Sequence, residues 1–240
     1  MIRPLFSFYG SKWRTAPHYP PPKHDLIIEP FAGSAGYSCR YPYKNVLLVE
    51  RDPTIAALWR YLIAAQAVDI RALPSKINKE DLATLPIGPR ALIGFWLNKG
   101  AATPRVSLSA WGRNSKYADQ FWGDKIKERV AATVEKINHW RIIEGDYQAA
   151  PRFAIASWFI DPPYRIMGRH YKHGAAGIDY DHLGQWCRSL SGGVVVCENN
   201  NAAWLPFKPF ITAKANAKTK KSFESIWTNF QPKQQGSTYE

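Results

Sequence analysis

Asp25-Leu-Ile-Ile-Glu-Pro-Phe-Ala-Gly-Ser-Ala-Gly36 opens as a short apolar run and breaks into a glycine-rich turn. That order reads as strand, tight turn, helix. A second run, Asn45-Val-Leu-Leu-Val-Glu50, ends in Arg51-Asp52-Pro53 and gives way to a helical pattern over residues 54–67. Strand character returns at Trp140-Arg-Ile-Ile-Glu144, at residues 153–160 and at Gly193-Val-Val-Val-Cys197, the last preceded by a helical stretch near residues 180–190. Continuous apolar strands alternating with helices indicate a parallel sheet covered on both faces. The expected fold class is α/β with a Rossmann-like sheet.

Residues 69–139 have a different texture, with Pro74, Pro86, Pro89 and Pro104, helical patterns near 89–99 and 119–138, and a polar segment at 101–118. The chain therefore divides into residues 1–68 plus 140–240, forming one domain, and a mainly helical inserted region over 69–139. Its 240 residues suit that arrangement. Hydrophobic residues at 45% and charged residues at 21% exclude wholesale disorder and fibrous classes. Apolar runs such as 153–160 are far short of the roughly 18 residues of a membrane span, and no signal-peptide core is visible. A soluble, cytoplasmic protein is expected. The net charge of +13 favours a polyanionic partner, bound through counterion release, although a basic surface kept for solubility gives the same sum. Three cysteines without a CxxC pair, and histidines without an HExxH, point to neither a disulfide framework nor a metal site.

Open α/β sheets bind ligands at the carboxyl ends of their strands, near the point where strand order reverses. Three candidate sites fall at such ends. At the first, Gly33 and Gly36 let the backbone turn tightly and approach a ligand. The pattern is not GxGxxG, and Gly10-Ser-Lys12 lacks the Walker spacing, so phosphate cradling is disfavoured. At the second, Glu50 or Asp52 can accept hydrogen bonds from both hydroxyls of a ribose. Asp52 before Pro53 also fits a helix N-cap, and the two roles can coexist. The third is Asp161-Pro-Pro-Tyr164, the most specific signal in the chain. Two prolines fix the backbone in an extended form and so aim the flanking groups. A stiff surface turn accounts for the prolines but not for the acid and the aromatic at these offsets.

Asp161-Pro-Pro-Tyr164, taken with Glu29-Pro-Phe-Ala-Gly-Ser-Ala-Gly36 upstream, resembles the Dam-like, alpha-group DNA adenine-N6 methyltransferases. The order of motifs agrees: glycine loop, middle insertion, then tetrapeptide. Phe8-Tyr-Gly-Ser-Lys12, Ile143-Glu-Gly-Asp-Tyr147 and Glu224-Ser-Ile-Trp-Thr-Asn-Phe230 look like the family's N-terminal segment, its strand-and-acid element and its closing strand. The likeness covers most of residues 1–60 and 140–230. Ala35 stands where many relatives carry glycine, and the insertion resembles nothing in particular.

The resemblance implies a methyltransferase sheet and S-adenosylmethionine as cofactor. It places Phe8, Tyr9, Gly10, Lys12, Phe31, Gly33, Ser34, Asp52, Asp146, Tyr147 and Asp161 around that cofactor, with Phe31 and Gly33 at its amino-acid end. It also makes Asp161, Pro162, Pro163 and Tyr164 a catalytic corner. The Asp161 carboxylate and the Pro162 carbonyl would accept the two hydrogens of an adenine amino group, and Tyr164 would stack on the flipped base.

Residues 99–117 carry Lys99, Arg105, Arg113 and Lys116 with Trp111 and Tyr117 and no acid, and read as the loop that recognises double-stranded DNA. Arg165, Arg169, Tyr171 and Lys172 follow the tetrapeptide and would line the flipped base, while residues 208–221 read as a further basic loop with five lysines. Solvated basic loops would look the same. Few side chains in the insertion can read many base edges, which favours a short or permissive target site. Adenine in structured RNA and cytosine N4 are alternative acceptors, the acid at 161 leaning toward adenine. A non-catalytic nucleic-acid-binding protein is the alternative of another class.

Overall fold

The computed structural model describes residues 1–152, 154–165, 175–214 and 221–231. Among these, seven strands form one sheet: β1 (Leu26–Glu29), β2 (Asn45–Glu50), β3 (Arg141–Glu144), β4 (Ala156–Ile160), β5 (Gly192–Glu198), β6 (Lys208–Lys214) and β7 (Lys221–Thr228). Their order is β3-β2-β1-β4-β5-β7-β6. The first five are parallel, and β7 lies antiparallel between β5 and β6. The helices are α1 (Pro53–Ala64), α2 (Ala67–Ala72), α3 (Lys79–Thr84), α4 (Ile87–Leu97), α5 (Asp124–Val134) and α6 (Tyr180–Ser189). None of the described helices is long and apolar enough to cross a membrane.

Every residue of β4 is buried, because its side chains alternate between two covered faces. Ile27, Val46, Leu48, Phe159 and Val195 point into one cluster with Phe6, Trp59, Phe95 and Val130. Their neighbours Ile28, Val49, Trp158, Ile160 and Val194 point into the other, against Leu183 and Trp186 of α6. Helices α4 and α5, from the middle of the sequence, thus pack on the same sheet face as α1.

Three local expectations are corrected. The glycine turn leads into no α-helix; after a series of turns the chain makes only a 3-10 turn, Ser38–Arg40. Gly33 at φ 45° and Ala35 at φ 48° both adopt the left-handed region, which a right-handed helix cannot continue through. Ala35 occupies a backbone conformation that favours glycine. Residues 208–214 form an edge strand rather than a basic loop. The helix expected over 119–138 is shorter: a 3-10 turn, Ser115–Gln120, precedes α5, and Trp122 between them is anchored by an Nε1 hydrogen bond to the Pro74 carbonyl at 2.8 Å.

Candidate active site

From β1 the chain moves outward through β2 and β3, then crosses back to β4 on the other side of β1. The connections leaving β1 and β4 therefore run in opposite directions and open a crevice at their carboxyl ends. The glycine turn and Asp161-Pro-Pro-Tyr164 face each other there, flanked by the ends of β2 and β3. The crevice is a cleft of about 950 Å³, counted to its open mouth.

Four of the parallel strands, β1, β2, β3 and β5, end in glutamate: Glu29, Glu50, Glu144 and Glu198. Two of these brace the glycine turn. Glu50 accepts the Gly33 N–H at 3.0 Å and the Asp52 N–H at 2.9 Å. Glu29 accepts the Ser38 N–H at 2.8 Å, and burial raises its carboxyl to about 8. Trp59 of α1 donates to the Gly33 carbonyl at 2.8 Å, and the Phe8 ring lies against the open side of Gly33. A Cβ at Gly36 would sit 2.6 Å from the Trp13 nitrogen and 2.9 Å from that of Lys12. The glycine is therefore what lets the N-terminal segment settle on the turn. Ser11 and Ser34 join the two through their hydroxyls at 2.8 Å.

Each residue that the resemblance assigns to a cofactor borders this cleft. Phe8, Tyr9, Gly10 and Lys12 come from the N-terminal segment, and Phe31, Gly33 and Ser34 from the turn. Asp52 lies beyond β2, Asp146 and Tyr147 beyond β3, and Asp161 beyond β4. Asp52 also caps α1, accepting the Thr54 N–H at 2.8 Å, so the lining and capping positions coincide. Phe31 and Tyr147 stack at 5.5 Å with 26° between their planes, and the Tyr147 hydroxyl meets His182 Nδ1 at 2.6 Å. Asp146 caps the 3-10 turn that carries Tyr147.

Asp161 is paired with Lys12 Nζ at 2.8 Å, their side chains 16% and 12% exposed. The same ammonium donates to the Tyr164 hydroxyl at 2.7 Å and lies 4.6 Å from that ring's centre. Burial opposes the lysine's charge, but Asp161, Tyr164 and Glu224 together hold its pKa well above the usual value. Burial likewise pushes the Asp161 carboxyl up against the pull of Lys12. Pro163 lines the cleft, whereas Pro162 and Tyr164 are not among the residues that border it. The Tyr180 hydroxyl donates to the Pro163 carbonyl. Glu198 accepts the Arg165 N–H at 3.2 Å and the Trp204 indole at 3.1 Å, fixing the chain just past the corner. Among the described residues the Pro162 carbonyl accepts no hydrogen bond, so it keeps its acceptor capacity. Cys39, Cys187 and Cys197 are buried, and burial raises each thiol, so none supplies a thiolate.

The basic residues proposed for DNA are less tightly gathered. Lys99, Arg105, Trp111, Arg113 and Lys116 are all exposed along residues 99–116. Trp111 is 61% exposed, its ring edge-on to Tyr117 at 5.1 Å. Arg113 folds back to the Leu108 carbonyl at 2.7 Å, and Lys99 donates to Gln120 at 3.0 Å. Burial, then Arg14 and Arg129, lower the pKa of Lys99, and Arg129 is depressed in turn by burial and Arg3. Arg3, Arg14 and Arg129, far apart in sequence, thus come within electrostatic reach of one another or of Lys99, with Arg129 half-buried over the Trp96 ring, a grouping not anticipated from the sequence. Arg165 is exposed, with its guanidinium 6.0 Å from the Tyr180 ring. Arg169, Tyr171 and Lys172 lie outside the described residues.

The strand order, the reversed β7 and the cleft at the β1/β4 switch point define a Rossmann-like methyltransferase fold. Among solved structures the chain is similar to a conserved hypothetical protein of Streptococcus pyogenes, at 12% identity and a TM-score of 0.35 over 88% of each chain. It is also similar to yhhF of Escherichia coli, a methyltransferase by provisional assignment, at 10% identity and a TM-score of 0.33 over 84% of this chain and 73% of the other. At those scores neither likeness carries an argument, and the fold rests on the strand order. No family model and no curated protein matches the sequence.

Proposed function

We propose that the protein is an S-adenosylmethionine-dependent methyltransferase acting on the N6 amino group of adenine in double-stranded DNA. One observation carries the reading: Asp161 of the acid–diproline–tyrosine corner borders the same cleft as the glycine turn and all the other cofactor candidates. The cleft suits the cofactor. Gly33 holds the turn in a left-handed backbone against the Phe8 ring. Phe31, which the resemblance puts at the cofactor's amino-acid end, stacks on Tyr147, and the pair offers a planar wall for a purine. Asp52 offers a carboxylate for ribose hydroxyls.

When bound there, S-adenosylmethionine supplies an electrophilic methyl group on a sulfonium. The protein's task is then to present an amine whose lone pair is otherwise delocalised into the purine ring. Asp161 accepts one amino hydrogen and the Pro162 carbonyl the other, which favours a pyramidal nitrogen. Burial raises the proton affinity of Asp161, so its carboxylate can take the proton that the methylated amine releases. Tyr164 stacks on the base once its ring is released from Lys12. The duplex must surrender the base at a cost of a few kcal/mol, toward which the exposed Trp111 and the basic surface contribute.

The test is to incubate the protein with methyl-labelled S-adenosylmethionine and either duplex DNA or RNA of matched composition, then digest to nucleosides. Label in N6-methyldeoxyadenosine supports the proposal. Label only in RNA, only in N4-methylcytosine or in neither polymer rejects it.

A further inference from the structure

Lys12 occupies both groups of the corner that an incoming adenine would need. Its ammonium is 2.8 Å from Asp161 and 2.7 Å from the Tyr164 hydroxyl, and it draws the Tyr164 ring over itself. In this arrangement Asp161 is committed to a cation and Tyr164 to the lysine. A third partner stands just out of reach. Glu224, on β7, places Oε1 3.9 Å from Lys12 Nζ, with its side chain only 9% exposed. That oxygen is buried without a hydrogen bond. The oxygen is thus held at the outer edge of ion-pair distance from Lys12 without a hydrogen bond, and a buried carboxylate oxygen without one is costly and uncommon in folded proteins, which suits a closer contact in another state. Burial also drives the Glu224 carboxyl above its ordinary range, with Lys12 opposing. On its far side Glu224 borders a small second cleft with Asn200, Phe210, Thr212 and Phe223.

We infer that Glu224 is a positioning residue that receives Lys12 when an acceptor amine arrives, releasing Asp161 and Tyr164 for the base. The inference rests on the methyl-transfer reading above. The displacement required is small, since about 1 Å brings the ammonium within charge-assisted hydrogen-bond range of Oε1. A lysine suits such an exchange because its three donors ride on a flexible stem and can trade one carboxylate for another without reorienting a planar group. The charge of Lys12 stays paired in both positions, so the exchange leaves no lone buried cation. It also explains why an acid belongs on the closing strand, which the transfer chemistry itself does not require.

The structural test is a crystal structure of the Asp161→Asn variant, which removes the resting partner without changing shape. Lys12 Nζ within hydrogen-bond distance of Glu224 is the expected result. Lys12 still on residue 161, and no closer to Glu224 than before, overturns the inference. Should that variant fail to fold, Asp161→Ser gives the same reading. The kinetic arm compares wild type with Glu224→Gln, Glu224→Asp, Lys12→Met and the Glu224→Gln/Lys12→Met double variant. Glu224→Gln should lower kcat at least about tenfold with cofactor KM and melting temperature unchanged, Glu224→Asp should recover part of the loss, and the double variant should be no worse than Lys12→Met alone. Independent, multiplying losses, or a Glu224→Gln enzyme with wild-type kcat, would contradict it. A wild-type protein that transfers no methyl group would sink the proposed function, and the structural arm would still decide the lysine exchange.

Discussion

Asp161 is the residue on which the proposed chemistry turns, and its removal separates a catalytic role from a structural one. Asp161→Ala should lower methyl transfer by about 10²–10³-fold while the cooperative thermal transition persists, as initial rates and a melting curve would show. Glu29 makes a prediction of a different kind. Burial raises its carboxyl to about 8, so between the ordinary carboxylate range and that value the folded protein holds a proton that the unfolded chain has lost. Stability due to this group is therefore present at low pH and is lost as pH rises toward 8, with a slope of at most about 1.4 kcal/mol per pH unit. Glu29→Gln should flatten that decline in urea unfolding measured from pH 5 to pH 8; an unchanged slope would place the proton elsewhere. Residue types pointed to the groups that meet at the cleft, since Asp161 and the glycine turn are legible by kind and spacing. They did not tell that Glu29 and Glu50 spend their oxygens on the backbone N–H groups of Ser38, Gly33 and Asp52, because a strand-end carboxylate looks the same whether it faces a ligand or the chain.

At the scale of the element, the N-terminal segment reaches the cleft only because Gly36 has no side chain. Gly36→Ala sets a methyl against the backbone of Trp13 and Lys12, which cannot yield as a flexible side chain would. S-adenosylmethionine affinity should fall at least about tenfold by calorimetry, whereas Gly123→Ala, with nothing within 4 Å of the added carbon, should bind as wild type does. Equal affinities in the two variants would show that the segment does not shape the site. The parallel strands were legible because burial on both faces demands unbroken apolar runs. Strand β6 was not, since Lys208 and Pro209 mark the kind of edge strand that sequence reading takes for a loop. The missing helix after the glycine turn was hidden by Ala35, whose left-handed backbone no composition rule announces.

Across the whole molecule, the net charge of +13, with the mutual influence of Lys99, Arg14 and Arg129, is the feature on which the proposed duplex partner rests. Duplex affinity should fall linearly with log salt. Lys116→Ala should reduce that slope by about one, whereas Trp111→Ala should weaken binding about tenfold with the slope unchanged. Salt-independent binding would point away from nucleic acid. The sequence revealed the charge but not its gathering, because Arg14 and Arg129 come within electrostatic reach of Lys99, and Arg3 of Arg129, only in the folded chain. Strand order does the same for the two motifs: loops more than a hundred residues apart become opposite walls of one crevice because β1 and β4 are neighbours. The most direct measurement of that claim is a crystal structure of the protein with S-adenosylhomocysteine. The account predicts the ligand between the glycine turn and the corner, its ribose on Asp52, its purine against Phe31 and Tyr147, and its sulfur toward Asp161. Density for the ligand anywhere else, or none in the cleft at saturating concentration, would contradict it.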